Sequence, residues 1–380
     1  MENRLTVMCV GPSPTVRGGI TSLIEKIRGR LPDHIQFRVI ATISKYTGSE
    51  HPERGSWLFQ AMVFAGAFTR ILFAGMFSRD VIFHVHLSMR GSTLRKGLIC
   101  VALRVLRCRY VVHAHAAEDA LFHEWVPELP RRVLSWGFRG ADYFIALTAF
   151  WGEYYASRIR LRSGQLLRLP NPVVLPTFLP DRTNQATVNI LFLGRIGQRK
   201  GAFEALEAFA SLPEDIRKCS HLIFAGDGET STVRELADHL GCSLQTSVLG
   251  WVDRQDAERL LAEADIFVLP SHGEGMSMAL LEAMAWGLAV VTTNSGGADE
   301  FLGSGHNCIL VEPGDVHDIA KALRRLTEDQ QLRIRLGTEA RRTAKRFGVD
   351  NYMMKLKCLY EDLASDPPVD NQIQAVFTMK

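Results

Sequence analysis

Short apolar runs alternate with helical patterns along almost the whole chain, and that alternation limits the fold more than any other feature. Arg4–Val10, Phe37–Thr42, Asp80–His86, Arg109–His115, Asp142–Leu147 and the short Leu166–Leu169 each read as a strand, with helical segments between them. Strands separated by crossover helices form a parallel, doubly wound sheet. After a polar, proline-bearing stretch from Pro176 to Thr187, the pattern restarts at Val188–Leu193 and repeats near Leu222, Ser247, Ala264 and Val290. At 380 residues the chain exceeds one ordinary core, so the restart marks a second domain of the same kind. Ligands of such sheets sit beyond the carboxyl ends of the strands, and the loops there are where chemistry is to be sought.

Apolar residues make up 47% of the chain and charged residues 22%, a globular rather than a disordered balance. The net charge of +3 conceals a split. Residues 1–180 carry 23 Lys and Arg against 12 Asp and Glu, a net of +11; the remainder carries 21 against 29, a net of −8. A basic first half suits an anionic partner such as anionic lipid, a lipid diphosphate or nucleic acid. The seven cysteines are scattered singly, which argues for a reducing compartment and against a disulfide framework or zinc site. The first strand begins within four residues, so no secretory signal is expected.

The loop Gly11-Pro-Ser-Pro-Thr-Val-Arg-Gly18-Gly19 joins the first strand to a helix. It lacks the Gly-x-Gly-x-x-Gly of dinucleotide-binding oxidoreductases, yet Gly18 and Gly19 permit close backbone approach to a ligand. His84 and His86 end one strand, His113 and His115 another, each pair on one face. If those strands are neighbours the imidazoles converge; no Cys or carboxylate is spaced to complete a metal site, and none is expected. Trp57–Phe77 is nearly all apolar and long enough to cross a bilayer. Arg70 in its second half, and its place between two strands, favour a buried crossover helix over a membrane-surface helix, and both over a span. Arg90, Arg95, Lys96, Arg104, Arg107 and Arg109 decorate the Leu/Val-rich helix and strand that follow, a surface suited to an anionic leaflet.

In the second half, Val188–Leu193 runs into Gly194-Arg195-Ile-Gly-Gln-Arg199-Lys200-Gly201, where Arg195 and Lys200 bracket a glycine-bearing loop. Fixed cations there would neutralise charge on a departing diphosphate. Ala264–Pro270 leads through Ser271-His-Gly-Glu-Gly-Met-Ser-Met-Ala-Leu-Leu-Glu282 into a helix running to about Trp286. The amides of Gly275, Met276 and Ser277, at the positive end of that helix, suit the same diphosphate. Glu274 and Glu282 look the same way at about 100° per residue. Carboxylates beside an anion site make sense when they accept hydrogen bonds from hydroxyls, one on a sugar and the other on a second polyol such as a ribose.

Glu-x7-Glu after a strand, with Gly-Met-Ser behind the first Glu and the Gly-Arg and Lys-Gly pairs of the earlier loop, resembles the donor site of retaining glycosyltransferases of family 4, the group 1 type. One departure is that four residues separate Arg195 from Lys200 where the family pattern has five. The resemblance implies the GT-B fold: α/β, two Rossmann-like doubly wound domains facing across a cleft. Residues 1–176 would form the acceptor domain and 177–349 the donor domain. Residues 350–365 would be a helix crossing back to the first domain, and 366–380, with Pro367-Pro368, a loosely ordered tail. It also implies that Glu274 holds the sugar, Glu282 the ribose, and Arg195 and Lys200 the diphosphate. The backbone of Gly250, Trp251 and Val252 would meet the base, and Gly18 and Gly19 would lie over donor and acceptor. His115 would contact the sugar, with His113 the alternative.

The implied reaction moves a hexose from a UDP- or GDP-linked sugar to a hydroxyl with retention, the leaving phosphate accepting the proton. No cofactor is implied, and no Asp-x-Asp pair in a phosphate loop calls for a metal. The basic first half and the apolar Trp57–Phe77 favour a lipid-linked glycan acceptor in bacterial-type polysaccharide or glycolipid synthesis. The protein would then be cytoplasmic and peripheral at the inner membrane face, touching anionic lipid through its first domain, with no nucleic acid partner. The alternatives are a non-hydrolysing nucleotide-sugar epimerase of the same fold, or a non-catalytic nucleotide-sugar-binding protein.

Overall fold

A computed structural model describes residues 4–44, 57–78, 80–88, 91–115, 126–183, 187–365 and 370–378; Arg90 and Pro367-Pro368 lie outside them. The chain divides into two compact units, Met1–Asn171 with Asp350–Lys380, and Pro172–Val349.

Among the described residues the first unit has six strands: β1 (Leu5–Gly11), β2 (Ile35–Ala41), β3 (Val81–Leu87), β4 (Arg109–Ala114), β5 (Tyr143–Ala146) and β6 (Leu166–Arg168). They lie in the order β2-β1-β3-β4-β5-β6 with every pair parallel. The crossovers are α1 (Gly19–Arg28), α2 (Trp57–Phe77), α3 (Gly91–Val105), α4 (Glu128–Arg139) and α5 (Ala149–Ile159). β3 is buried along its whole length, as a parallel strand covered on both faces must be.

The second unit repeats the plan with β7 (Val188–Leu193), α6 (Ala202–Ala210), α7 (Glu214–Lys218), β8 (Ser220–Ala225), α8 (Thr230–His239), β9 (Thr246–Gly250) and α9 (Arg254–Glu263). It continues with β10 (Ile266–Leu269), α10 (Met278–Ala285), β11 (Ala289–Thr293), β12 (Ile309–Val311), α11 (Val316–Glu328) and α12 (Gln330–Ala344). The order is β12-β11-β10-β7-β8-β9, again wholly parallel. Strand order reverses between β7 and β10, so the switch point of this sheet lies between their carboxyl ends.

Helix α13 (Val349–Ala364) belongs to the first unit. The Tyr360 hydroxyl lies 2.6 Å from His84 Nδ1, and Tyr143 donates to Asp362 at 3.0 Å. Three expectations need correction. The tail is not wholly loose: α14 (Asp370–Thr378) is helical, because Ile373 and Phe377, four residues apart, form one apolar stripe that packs inward. Lys96 is no surface charge but is buried, its ammonium 3.1 Å from Ser92 Oγ. Helix α2 is a crossover, but only Ala67, Ile71 and Ala74 of it are buried.

Gly337 of α12 presses on the turn after α10, where a Cβ would meet Gly287 O at 2.1 Å, backbone against backbone. Gly337→Ala is expected to lower the unfolding free energy by about 1–3 kcal/mol. Gly66→Ala, in open space on α2, is expected to raise it by about 0.5–1 kcal/mol. Denaturant unfolding of both variants against the parent checks the pair.

Candidate active site

The loops after β7 and β10 meet at the switch point of the second sheet. Their contact depends on Gly201, whose φ of +72° is left-handed and whose absent Cβ would meet Pro270 O at 2.2 Å. The His272 N–H donates to Arg199 O at 3.0 Å and bridges the two loops. At the end of β11, the hydroxyls of Thr292 and Thr293 donate to Leu269 O at 2.9 Å and Ser271 O at 2.6 Å, pinning the turn from its other side.

Glu274 points into this junction. Its Oε1 accepts from Arg199 Nη1 at 2.9 Å and pairs with Lys200 Nζ. Arg199 also donates to Gly273 O at 2.8 Å. The Lys200 and Glu274 side chains are 13% and 15% exposed, that of Arg199 47%. The lysine pair is therefore shielded from water and salt, while the guanidinium reaches solvent. Close by, Glu204 of α6 accepts from Gln198 Nε2 at 2.7 Å and pairs with His272 Nε2 at 2.8 Å.

Ser277 caps α10: its hydroxyl accepts from the Leu280 N–H, and its carbonyl from that of Leu281. The amides of Met278 and Ala279 precede those bonds and belong to the unsatisfied first turn. A cavity opens here, lined among others by Ser271, Glu274, Gly275, Met276, Ser277 and Thr293. The Ser271 hydroxyl is buried and without a partner.

Lys200, Glu274, Gly275, Met276 and Ser277 are thus brought together, and Glu282 follows, half-buried, in the second turn of α10. Arg195 is exposed near the start of the β7 loop, while the ion pairs of Glu274 go to Arg199 and Lys200. Gly250, Trp251 and Val252 leave the far edge strand, β9. The Gly250 carbonyl accepts from Gly226 N–H at 2.6 Å, and Gly226 lies so close to Gly194 that a Cβ would meet its oxygen at 1.8 Å, which draws the β9 end toward the β7 loop. Nothing in the sequence singles out Arg199, Ser271 or the Glu204–His272 pair. Arg199 stands between Arg195 and Lys200, but nothing in the spacing says which cation turns to Glu274.

In the first unit, Gly18 has φ +150° and open space where a Cβ would stand, and Gly19 begins α1. β3 and β4 are neighbours, and the four imidazoles do converge. His84 Nε2 lies 3.2 Å from His113 Nδ1, and His86 Nδ1 lies 2.9 Å from His115 Nε2. Ligand atoms of His84, His86 and His113 fall within 4.8 Å of one another. Nε2 of His86 and of His113 are buried without a partner. His113 is sealed inside, whereas His115, just past the strand end, is half-buried and is the one of the pair that reaches a surface.

Residues 182–343 match the family described as glycosyl transferases group 1. The lipopolysaccharide core biosynthesis glycosyltransferase of Rhizobium meliloti is 35% identical over 155 residues, 40% of this chain and 44% of that protein. A D-inositol 3-phosphate glycosyltransferase of Xylanimonas cellulosilytica is 29% identical over 244 residues, 59% of this chain and 58% of the relative. The chain thus spans about half the length of these relatives. Among solved structures, HepE of Anabaena in complex with UDP-glucose is similar with a TM-score of 0.71 at 18% identity, covering 92% of this chain and 98% of that one. Sucrose-phosphate synthase from Thermosynechococcus elongatus has a TM-score of 0.74 at 18% identity, covering 95% and 99%. The fold is GT-B.

Burial pushes His84 down to about 3, and His86 and His113 well below their ordinary value of 6.5. As pH falls through 6.5 the unfolded chain takes up protons on them that the folded chain refuses, for His84 down to about 3. The stability held by these neutral rings is therefore whole above 6.5 and is lost on the way down. Between about pH 7 and about pH 5 the unfolding free energy is expected to fall with a limiting slope of about 1.4 kcal/mol per pH unit for each such ring. Urea titrations across that range check it, and His86→Asn should make the fall shallower.

Proposed function

We propose, from the match of residues 182–343 to the group 1 glycosyl transferases, that the protein moves a hexose from a nucleoside diphosphate sugar to an acceptor hydroxyl. The observation that carries this reading is Glu274 held between Lys200 and Arg199 beside the start of α10. The two cations and the carboxylate satisfy one another. An arriving diphosphate takes over Lys200, Arg199 and the first-turn amides, and Glu274 is released to accept hydrogen bonds from sugar hydroxyls. The bond from the anomeric carbon to the diphosphate oxygen then breaks. Charge gathers on the phosphate oxygens, where the cations already stand, so little reorganisation is needed at the moment of reaction.

Glu282 binds the ribose in this reading, and the departing phosphate takes the acceptor proton on the face it leaves, which retains configuration. The neighbours crystallised with UDP and UDP-glucose favour a uridine donor. The polysaccharide-building relatives, together with the basic, apolar first unit, favour a lipid-linked glycan acceptor in polysaccharide or glycolipid synthesis at the cytoplasmic membrane face.

A panel of UDP- and GDP-sugars should protect the protein against heat, a ligand at a hundred times its dissociation constant adding about 2.7 kcal/mol. Transfer from the protecting donor should fall about 10²–10³-fold in Lys200→Ala and in Glu274→Gln with the fold intact. Isomerised nucleotide sugar without a glycan product would point to an epimerase. Unchanged turnover in both variants would sink the proposal.

A further inference from the structure

Spacing along the chain offers no reason to expect a metal, but the pairing of β3 with β4 supplies one. His84 and His86 look the same way from β3, and the register sets His86 beside His113 of β4. The opposite face of these strands carries Phe83, Val85, Leu87 and Val112 in the apolar core. On the histidine face the rings of His84 and His86 stack with centroids 4.3 Å apart, and those of His113 and His115 lie 4.0 Å apart. His84, His86 and His113 are wholly buried. One nitrogen from each falls within 4.8 Å of the others. Ligands at about 2.0–2.1 Å on a tetrahedral zinc stand about 3.3 Å apart, so modest ring rotations close the set.

Hydrogen bonding shows which atoms are spare. A neutral imidazole has one N–H and one lone pair. His113 Nδ1 faces His84 Nε2 at 3.2 Å, and His86 Nδ1 faces His115 Nε2 at 2.9 Å. With the hydrogens of His113 and His86 on Nδ1, the rings of His84 and His115 accept them. Nε2 of His113 and of His86 is then a lone pair, and these are the two ring nitrogens buried without a partner. Tyr360 fits the same assignment: its hydroxyl, 2.6 Å from His84 Nδ1, accepts that N–H and leaves Nε2 to receive from His113. The opposite tautomers would bury two N–H groups with nothing to accept them. An imidazole anchored through one nitrogen and bare at the other is how a metal-ligating histidine is held.

Charge is compatible with an ion. Burial holds His84 down to about 3 and His86 and His113 far below 6.5, so the rings offer lone pairs at neutral pH. Lys96 opposes a cation, since its charge is among those that depress His86. Burial brings that ammonium down to about 7, so it sheds its proton readily when a dication enters. Imidazole ligands suit zinc and its late first-row neighbours, and a sealed site is structural rather than catalytic.

We infer that His86 and His113, with His84 as the third ligand, bind one divalent ion of the zinc class between β3 and β4. The ion would brace the edge-to-edge pairing of the first sheet and, through Tyr360, fasten α13 to it. The inference does not rest on the transferase reading, and none of its readouts uses transfer. The full chain is stripped with a chelator and titrated with zinc chloride, and separately with cobalt chloride. One equivalent should bind and raise the unfolding temperature, and cobalt should give a visible d–d band without a near-ultraviolet thiolate band. His86→Asn and His113→Asn should each weaken binding about tenfold or more, and Tyr360→Phe, which removes only an anchor, by about 10–100-fold. Lys96→Met should tighten it. Urea unfolding of the stripped variants shows that they are folded; where an asparagine variant is not, Tyr360→Phe and Lys96→Met decide. No uptake, a thiolate band that puts the ion on a cysteine, or equal affinity in the parent and the folded variants, as for adventitious surface binding, would each overturn the inference.

Discussion

The candidate site depends on one backbone contact, the approach of Gly201 to the Pro270 carbonyl. Parallel strands deliver their loops to a common edge, but neighbouring strands alone leave loops free to splay. A left-handed residue without a Cβ lets the start of α6 sit directly on the end of β10, and the bond from His272 N–H to Arg199 O closes the join. Once the two loops share a wall, residues 74 and 75 apart in sequence have little choice but to meet: Lys200, Arg199 and Glu274. The glycine is therefore as much a part of the site as the charges it brings together, although it offers no side chain to any ligand.

That arrangement also accounts for a carboxylate standing where an anion is expected. Lys200 is nearly withdrawn from water, and a shielded ammonium with no counter-charge is costly to keep. Glu274 supplies the counter-charge. The Glu204–His272 pair and the hydroxyls of Thr292 and Thr293 hold the turn in place.

The doubly wound architecture was legible because period and burial act locally: each short apolar run became a strand, and the restart at Val188 opened the second sheet. The turn from Ser271 to Ser277 was legible for a similar reason, since strand, turn and helix start are consecutive. What could not be read was choice among equivalent side chains. Arg195, Arg199 and Lys200 look alike in a string, and only the short helical turn of Gln198–Lys200 decides that the last two face Glu274. The two histidine pairs were seen as facing one way on each strand, but their contact required that β3 and β4 pair with His86 beside His113. Apolar content misled at α2, because hydrophobicity in a sequence does not say whether the fold itself covers it.

The charge split can now be placed. The cations beside Glu274 come from residues 181–380, whose net charge is negative, so the half richest in Lys and Arg does not supply them. At physiological ionic strength fields fade over about 8 Å, and an anion in a pocket responds to the few groups that line it rather than to a domain's total. The positive excess of the first 180 residues must act at close range too, and its arginines crowd the helices on the outside of the first sheet. Long basic side chains there have apolar neighbours and few acids to pair with. Net charge in this molecule thus describes a surface, whereas the candidate site is set by two loops and the glycine that lets them touch.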